Sequence, residues 1–186
     1  MSGATPHDPS PPGGPQHSVS AAERLERLHD RVDSAARSLA RRHAARLQCR
    51  RGCASCCVDE ITVFAVEAER IRRGNARLLE RGTPHPGGAC AFLDSANGAC
   101  RIYHDRPYVC RTQGLPLRWQ EQQGGAPPHE LRDICPLNEL RDEPLERFPR
   151  HHCWPLGPIE GALATLQVEL GGAPPRRVRL RDLFRG

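Results

Sequence analysis

The sequence predicts an α+β fold, mostly helical, in a small irregular domain with one or two short β-hairpins. Three observations lead there. Leu25, Leu28, Val32, Ala35 and Leu39 recur at helical spacing behind a Ser20–Glu23 capping box. Ser95-Ala96-Asn97-Gly98 separates two short apolar runs, and Asn-Gly is a hairpin signal. The apolar content is 38%, with 4% aromatic residues, which is lean core material for a 186-residue chain.

Residues 1–17 hold five Pro and three Gly and almost nothing to bury, which predicts a disordered tail. The first helix opens at Ser20, gains Glu23–Arg27 and Asp33–Arg37 pairs, and is expected to reach Leu47. "EITVF" predicts a short extended segment. "AVEAERIRRGNARLLERG" predicts a helix broken near Gly74 and ended by Gly82. Asp105, followed by Arg106-Pro107, is expected to cap a short helix carrying Tyr108, Val109 and Cys110. "GLPLRWQ" and "HELRDI" flank a Gly/Pro-rich stretch and predict a second, looser hairpin. "EGALATLQVEL" fits a helix or a strand. "RVRLRDLF" alternates like an edge strand. The expected organisation is a cysteine-cluster domain over 18–145 and a C-terminal extension over 146–186 packed on it.

Composition narrows the function. All 27 basic residues are Arg and none is Lys, so a GC-rich coding bias explains the net charge of +5 more simply than a nucleic-acid surface. Nucleic acid is therefore not an expected partner. No run of 18 apolar residues exists and the N-terminus has no apolar signal core, so a cytoplasmic location without membrane insertion is expected. Thiols stay reduced there, which favours metal ligation over disulfides.

Eight of the nine cysteines fall between Cys49 and Cys135. Cys53-x-x-Cys56 is a knuckle spacing, in which a small turn aims two sulfurs at one ion. Cys56 and Cys57 are adjacent. On an extended chain their side chains point to opposite faces, which predicts that they serve different ions or different parts of one cluster. Cys49, Cys53, Cys56, Cys57, Cys90, Cys100, Cys110 and Cys135 are the candidate ligands, for zinc or iron, with an iron–sulfur cluster among the alternatives. The domain is accordingly expected to be metal-stabilised. Cys153 in "HHCW" reads as a spare thiol beside His151 and His152. No Ser/His/Asp or paired-carboxylate set has a spacing that argues for hydrolysis, so no catalytic residue is assigned, and a binding protein is favoured over an enzyme.

The strings "CRRGCASCC", "VEAERI", "CAFLDSANGACRIYHDRPYVCR" and "ICPLN" resemble the YkgJ-type cysteine-cluster proteins, the CxxCxxCC zinc- or iron-chelating domain family. The resemblance rests on Cys49, Cys53, Cys56, Cys57, Glu67, Ile71, Cys90, Leu93, Cys100, Ile102, Tyr103, Arg106, Pro107, Cys110 and Arg111. It implies a cysteine-ligated metal and adds Arg106 and Arg111 as charge partners of the thiolates. Tyr103 reads equally as a donor to sulfur or as a hairpin core residue. The first gap of the cluster is one residue longer than the family pattern, and Phe64 stands where the pattern has a Thr that would cap the following helix. A related cluster in flagellin lysine N-methylases suggests an iron–sulfur centre supporting methyl transfer. This chain has no cofactor-binding Gly-rich loop to go with that activity. Cys49-x3-Cys53-x2-Cys56 also has the spacing of radical S-adenosylmethionine enzymes, but no series of strand–helix units follows it. The expected function is metal binding. The alternatives are an iron–sulfur protein working in electron or methyl transfer with a protein partner, and a zinc-stabilised nucleic-acid module.

Overall fold

A computed structural model describes residues 19–122, 124–140, 143–170 and 176–185. The tail expected over 1–17 lies outside the described residues. Among the described residues, five α-helices and two small sheets surround two apolar cores. This is the α+β class that the sequence predicts.

Helix α1 spans Ala21–Arg42 and opens with the capping box: Ser20 Oγ accepts from the Glu23 N–H, and Glu23 Oε2 accepts from the Ser20 N–H. It stops at Arg42, short of the expected Leu47, because His43 leaves helical geometry and bonds across the molecule. Its Nε2–H donates to the His152 carbonyl at 2.8 Å. Strand β1 is Thr62–Phe64, followed at once by α2, Ala65–Gly74, and α3, Ala76–Arg81. The break between the two falls where Gly74 and Asn75 predicted it. A Cβ on Gly74 would meet the Asp105 carboxylate, and Asn75 Nδ2 donates to Ile71 O and to Asp105 Oδ2.

No side chain caps α2 at Phe64. The first N–H of the helix, that of Ala65, is met from far away by Gln167 Oε1 at 2.8 Å and by the Arg176 carbonyl at 3.1 Å, which also accepts from Gln167 Nε2 at 3.0 Å. Helix α4, Tyr108–Arg111, is likewise capped from a distance. Asp105, the expected cap, bonds Asn75 and pairs with Arg70, and the Tyr108 N–H is taken by Glu67 at 2.7 Å.

The looser hairpin forms as β2, Leu117–Glu121, antiparallel to β3, His129–Asp133, and β4, Trp154–Pro155, adds a parallel edge to β2. The Asn-Gly hairpin is reduced to one Leu93–Cys100 bridge around a tight turn in which Gly98 takes φ +66°. Asp94 Oδ1 and Asn97 Oδ1 each accept an N–H two residues on, so side chains close this turn in place of a strand ladder. "EGALATLQVEL" falls in helix α5, Gly157–Glu169, and Arg177–Arg179 is strand β5, an edge strand antiparallel to β1.

One core joins Leu25, Leu28 and Val32 of α1 to Phe64, Tyr108, Trp154, Leu163 and Leu166. Trp154 Nε1–H donates to Tyr108 Oη at 2.8 Å, so the two large rings are satisfied within it. The other core joins Val63, Ala68, Ile71, Phe92, Ile102, Leu180 and Leu183, and Cys57, Cys90 and Cys100 line it. The C-terminal segment thus completes the core that holds cysteines.

Gln167→Ala removes one of the two acceptors of the Ala65 N–H and one of the two donors to the Arg176 carbonyl, leaving these two groups bonded to each other at 3.1 Å, which costs about 0.5–1.5 kcal/mol. Urea unfolding at matched metal content is expected to show a lower midpoint for this variant. An unchanged midpoint would show that the distant cap contributes nothing.

Candidate metal centre

The nine cysteines are all free thiols. Five of the eight candidates come together from four chain segments. The Cys56 and Cys57 thiols are hydrogen-bonded to each other. Cys57 lies within electrostatic reach of Cys90 and Cys110, and Cys110 within reach of Cys90, Cys100 and Cys56. Cys90 is buried and the other four are half-buried.

Cys56 and Cys57 correct the expectation that they point apart. That argument assumed an extended backbone. The chain turns instead, with the Cys57 N–H donating to the Ala54 carbonyl at 2.9 Å, and the two thiols perturb each other strongly. They behave as one acid. The hydrogen bond from Cys57 holds the Cys56 thiol down at about 6, whereas the same bond, then burial and the neighbouring thiols, pushes Cys57 up. Burial also raises Cys110, Cys90 and Cys100. At Cys100 the Arg106 and Arg101 guanidiniums oppose that rise.

The other candidates stand differently. Cys49 is exposed, and its Sγ accepts from Asn138 Nδ2 at 3.5 Å. Asn138 is buried and also bonds Gly114 O and the Gln48 N–H. A Cβ on Gly114 would run into the Cys49 sulfur, and Gly114 sits at φ +87°, so glycine is required twice over. The Cys135 carbonyl accepts the Asn138 N–H at 2.7 Å. Cys53 is half-buried, with its N–H on the Arg50 carbonyl. Cys153 is buried among Arg132, Glu130, Arg118 and Arg46.

Arg111 is buried and donates to Asp33 Oδ2 at 2.6 Å and to the His104 carbonyl, and Arg106 pairs with Asp33 Oδ1 at 3.5 Å. Tyr103 is 58% exposed, its ring lying under the Arg106 guanidinium at 4.1 Å.

Two fixtures of the site were not read from the sequence. Glu67, buried in the first turn of α2, holds both His29 Nε2 at 3.0 Å and the Tyr108 N–H, and so fixes the short helix that carries Cys110. Arg181 forms a two-point pair with Asp59 at 2.9 Å on both oxygens and donates to the carbonyls of His85, Pro86 and Ala89. It clamps the loop ending at Cys90 against the turn that follows Cys57, and the Cys90 N–H reaches the Cys57 carbonyl at 2.8 Å. Glu67 lay inside the "VEAERI" string, but nothing local marks its partners. Arg181 carries no signal among so many arginines.

Among the described residues, no three Cys, His, Asp or Glu side chains stand at metal-gripping distances. The donor set fits zinc or iron in chemistry: reduced, soft sulfur, gathered in one place. Closing it on an ion requires side-chain rotation and loss of the Cys56–Cys57 proton.

The architecture is that of a small cysteine-lined domain with gathered thiols. Residues 48–130 match the family model described as "CxxCxxCC: Putative zinc- or iron-chelating domain". Comparison with curated proteins and with solved structures gave no match. No helix among the described residues is long and apolar enough to cross a membrane.

Arg181→Gln frees the Cys90 loop while leaving every sulfur in place. Zinc affinity is expected to fall about 10–100-fold, as for other residues that orient ligands, measured by competition with a chromogenic chelator. His29 gives a pH test. Burial holds its imidazole below the ordinary value of 6.5 against the pull of Glu67. The unfolded chain therefore binds that proton more tightly, and stability is lost as pH falls through about 6.5 and below. Urea midpoints at pH 7 and pH 5 are expected to differ less in His29→Gln than in the unaltered protein.

Proposed function

We propose that this protein binds zinc or iron through cysteine thiolates, with Cys56, Cys57, Cys90, Cys100 and Cys110 as the inner set and Cys49, Cys53 and Cys135 completing it. The observation that carries this reading is the convergence of five thiols from four separate segments within electrostatic reach of one another. The match of the 48–130 segment to a chelating family's model supports it independently.

The protein's own part is to collect sulfur and to balance charge. Four thiolates on Zn²⁺ leave a net charge of about −2. Arg101 and Arg106 stand close enough to Cys100 to offset it. The buried Arg111 shares Asp33 with Arg106, which keeps this cluster of guanidiniums from repelling itself open. A bound ion supplies the positive charge that makes the raised thiols of Cys90, Cys100 and Cys110 give up their protons, so binding releases protons and weakens in acid. A cytoplasmic location, where nine free thiols stay reduced, fits this chemistry.

The test is metal analysis and a visible spectrum on protein prepared without oxygen. Stoichiometric zinc or iron is expected. Iron with acid-labile sulfide would assign electron or methyl transfer with a partner, and colourless zinc protein a structural or zinc-handling role. Cys110→Ser is expected to lose metal and to lower the unfolding midpoint, and Cys153→Ser to keep both. Full metal content in Cys110→Ser would refute the inner set.

A further inference from the structure

A cavity of about 400 Å³ opens between the C-terminal end of α1 and the segment around residues 140–152. It lies outside the residues of the family match and contains none of the candidate ligands. Arg42, His43, Arg46, Arg147, Phe148 and His152 line it, with Glu143 and Leu140 at its rim.

Its walls are fixed by donors that consume backbone carbonyls. Arg46 Nη2 donates to the Glu143 carbonyl at 3.1 Å. Arg132 Nη1 donates to those of Leu145 and Phe148 at 2.8 and 2.6 Å, and His43 Nε2–H to that of His152 at 2.8 Å. Four oxygens that would repel an anion are thereby occupied. The segment needs no regular structure beyond two short turns of 3₁₀ helix, Leu145–Arg147 and Arg150–His152.

The charges in this frame are unbalanced. Among the described lining residues, three guanidiniums face one carboxylate. The Arg46 side chain is 3% exposed and lies 4.6 Å over the Phe148 ring, and its carboxylate partner Glu143 is 60% exposed. A desolvated cation thus leans on an anion that is free to swing into water. Arg42 donates to His152 Nε2 at 3.1 Å. A guanidinium can only donate, so that nitrogen is the lone-pair acceptor of a neutral imidazole, and Arg42 gains no counter-charge from it. The Phe148 ring is already engaged by the Arg46 guanidinium and by a stacked His43. The recognition surface is cationic and forked, which suits a tetrahedral oxyanion.

We propose that this cavity binds a phosphoryl oxyanion, held by Arg42, Arg46 and Arg147, with Glu143 displaced toward solvent. The volume exceeds that of phosphate alone and accommodates a small phosphomonoester.

The test titrates the full-length, metal-loaded protein with inorganic phosphate and, separately, with glycerol 2-phosphate, at constant ionic strength made up with chloride. Calorimetry and thermal melting are the readouts. Saturable binding of phosphate, without a matching effect of chloride, is expected. The Arg42→Gln/Arg147→Gln double variant alters two exposed side chains and is expected to bind at least tenfold more weakly with its metal content unchanged. Glu143→Gln keeps an acceptor for Arg46, removes the competing charge and is expected to bind more tightly. Tighter binding of the monoester assigns the site to phosphomonoesters, and equal binding assigns it to free phosphate. The proposal is overturned if chloride reproduces the effect of phosphate, or if neither variant changes the affinity.

Discussion

The buried carboxylate of Glu67 is the constraint on which the thiol site depends. A carboxylate taken out of water is costly unless its lone pairs are used. Glu67 meets that demand with one ring nitrogen from α1 and one backbone N–H from α4, while standing in the first turn of α2, where the helix dipole favours it. Three helices are therefore tied at one oxygen. The chain leaves that knot through Tyr108, whose hydroxyl accepts from Trp154, and reaches Cys110 two residues later. A shift of α4 moves this sulfur and the packing of the first core together.

The division into two cores follows from this arrangement. Large apolar side chains from α1 and α5, with Phe64, Tyr108 and Trp154, fill the first, which contains no cysteine. The second draws on β1, α2 and the C-terminal segment, and part of its wall is cysteine. Reduced thiols pack there as small hydrophobes. In the proposed function the same groups become ligands once deprotonated, so that one set of side chains would serve packing and metal capture. The arginines around them are held by Asp33 and by backbone carbonyls, and they stay in place whichever role the sulfurs take.

What the sequence showed was local. The Ser20 cap, the break at Gly74 and the β2–β3 hairpin depend on a few neighbouring residues, and each is where the pattern put it. The distant caps were not legible, because Gln167 reaches Ala65 across 102 residues and no spacing rule spans that. The end of α1 was misplaced for the same reason: the imidazole of His43, its C-cap residue, is held by the distant His152 carbonyl. The pairing of Cys56 and Cys57 was hidden by a turn that small residues permit but do not announce. The eight candidate ligands were visible as residue types, while the grouping of five of them comes only from the fold.

The clamp between Arg181 and Asp59 joins residues 122 positions apart. A chain growing from its N-terminus exposes Cys56 and Cys57 long before Arg181 has been made. Through that interval the vicinal thiols have neither the β5 strand nor the clamped loop over them, and an oxidant or a stray metal ion meets them first. Under the proposed metal-binding function, the order of synthesis would make a reducing surrounding, or early delivery of the ion, part of how this domain reaches its native state.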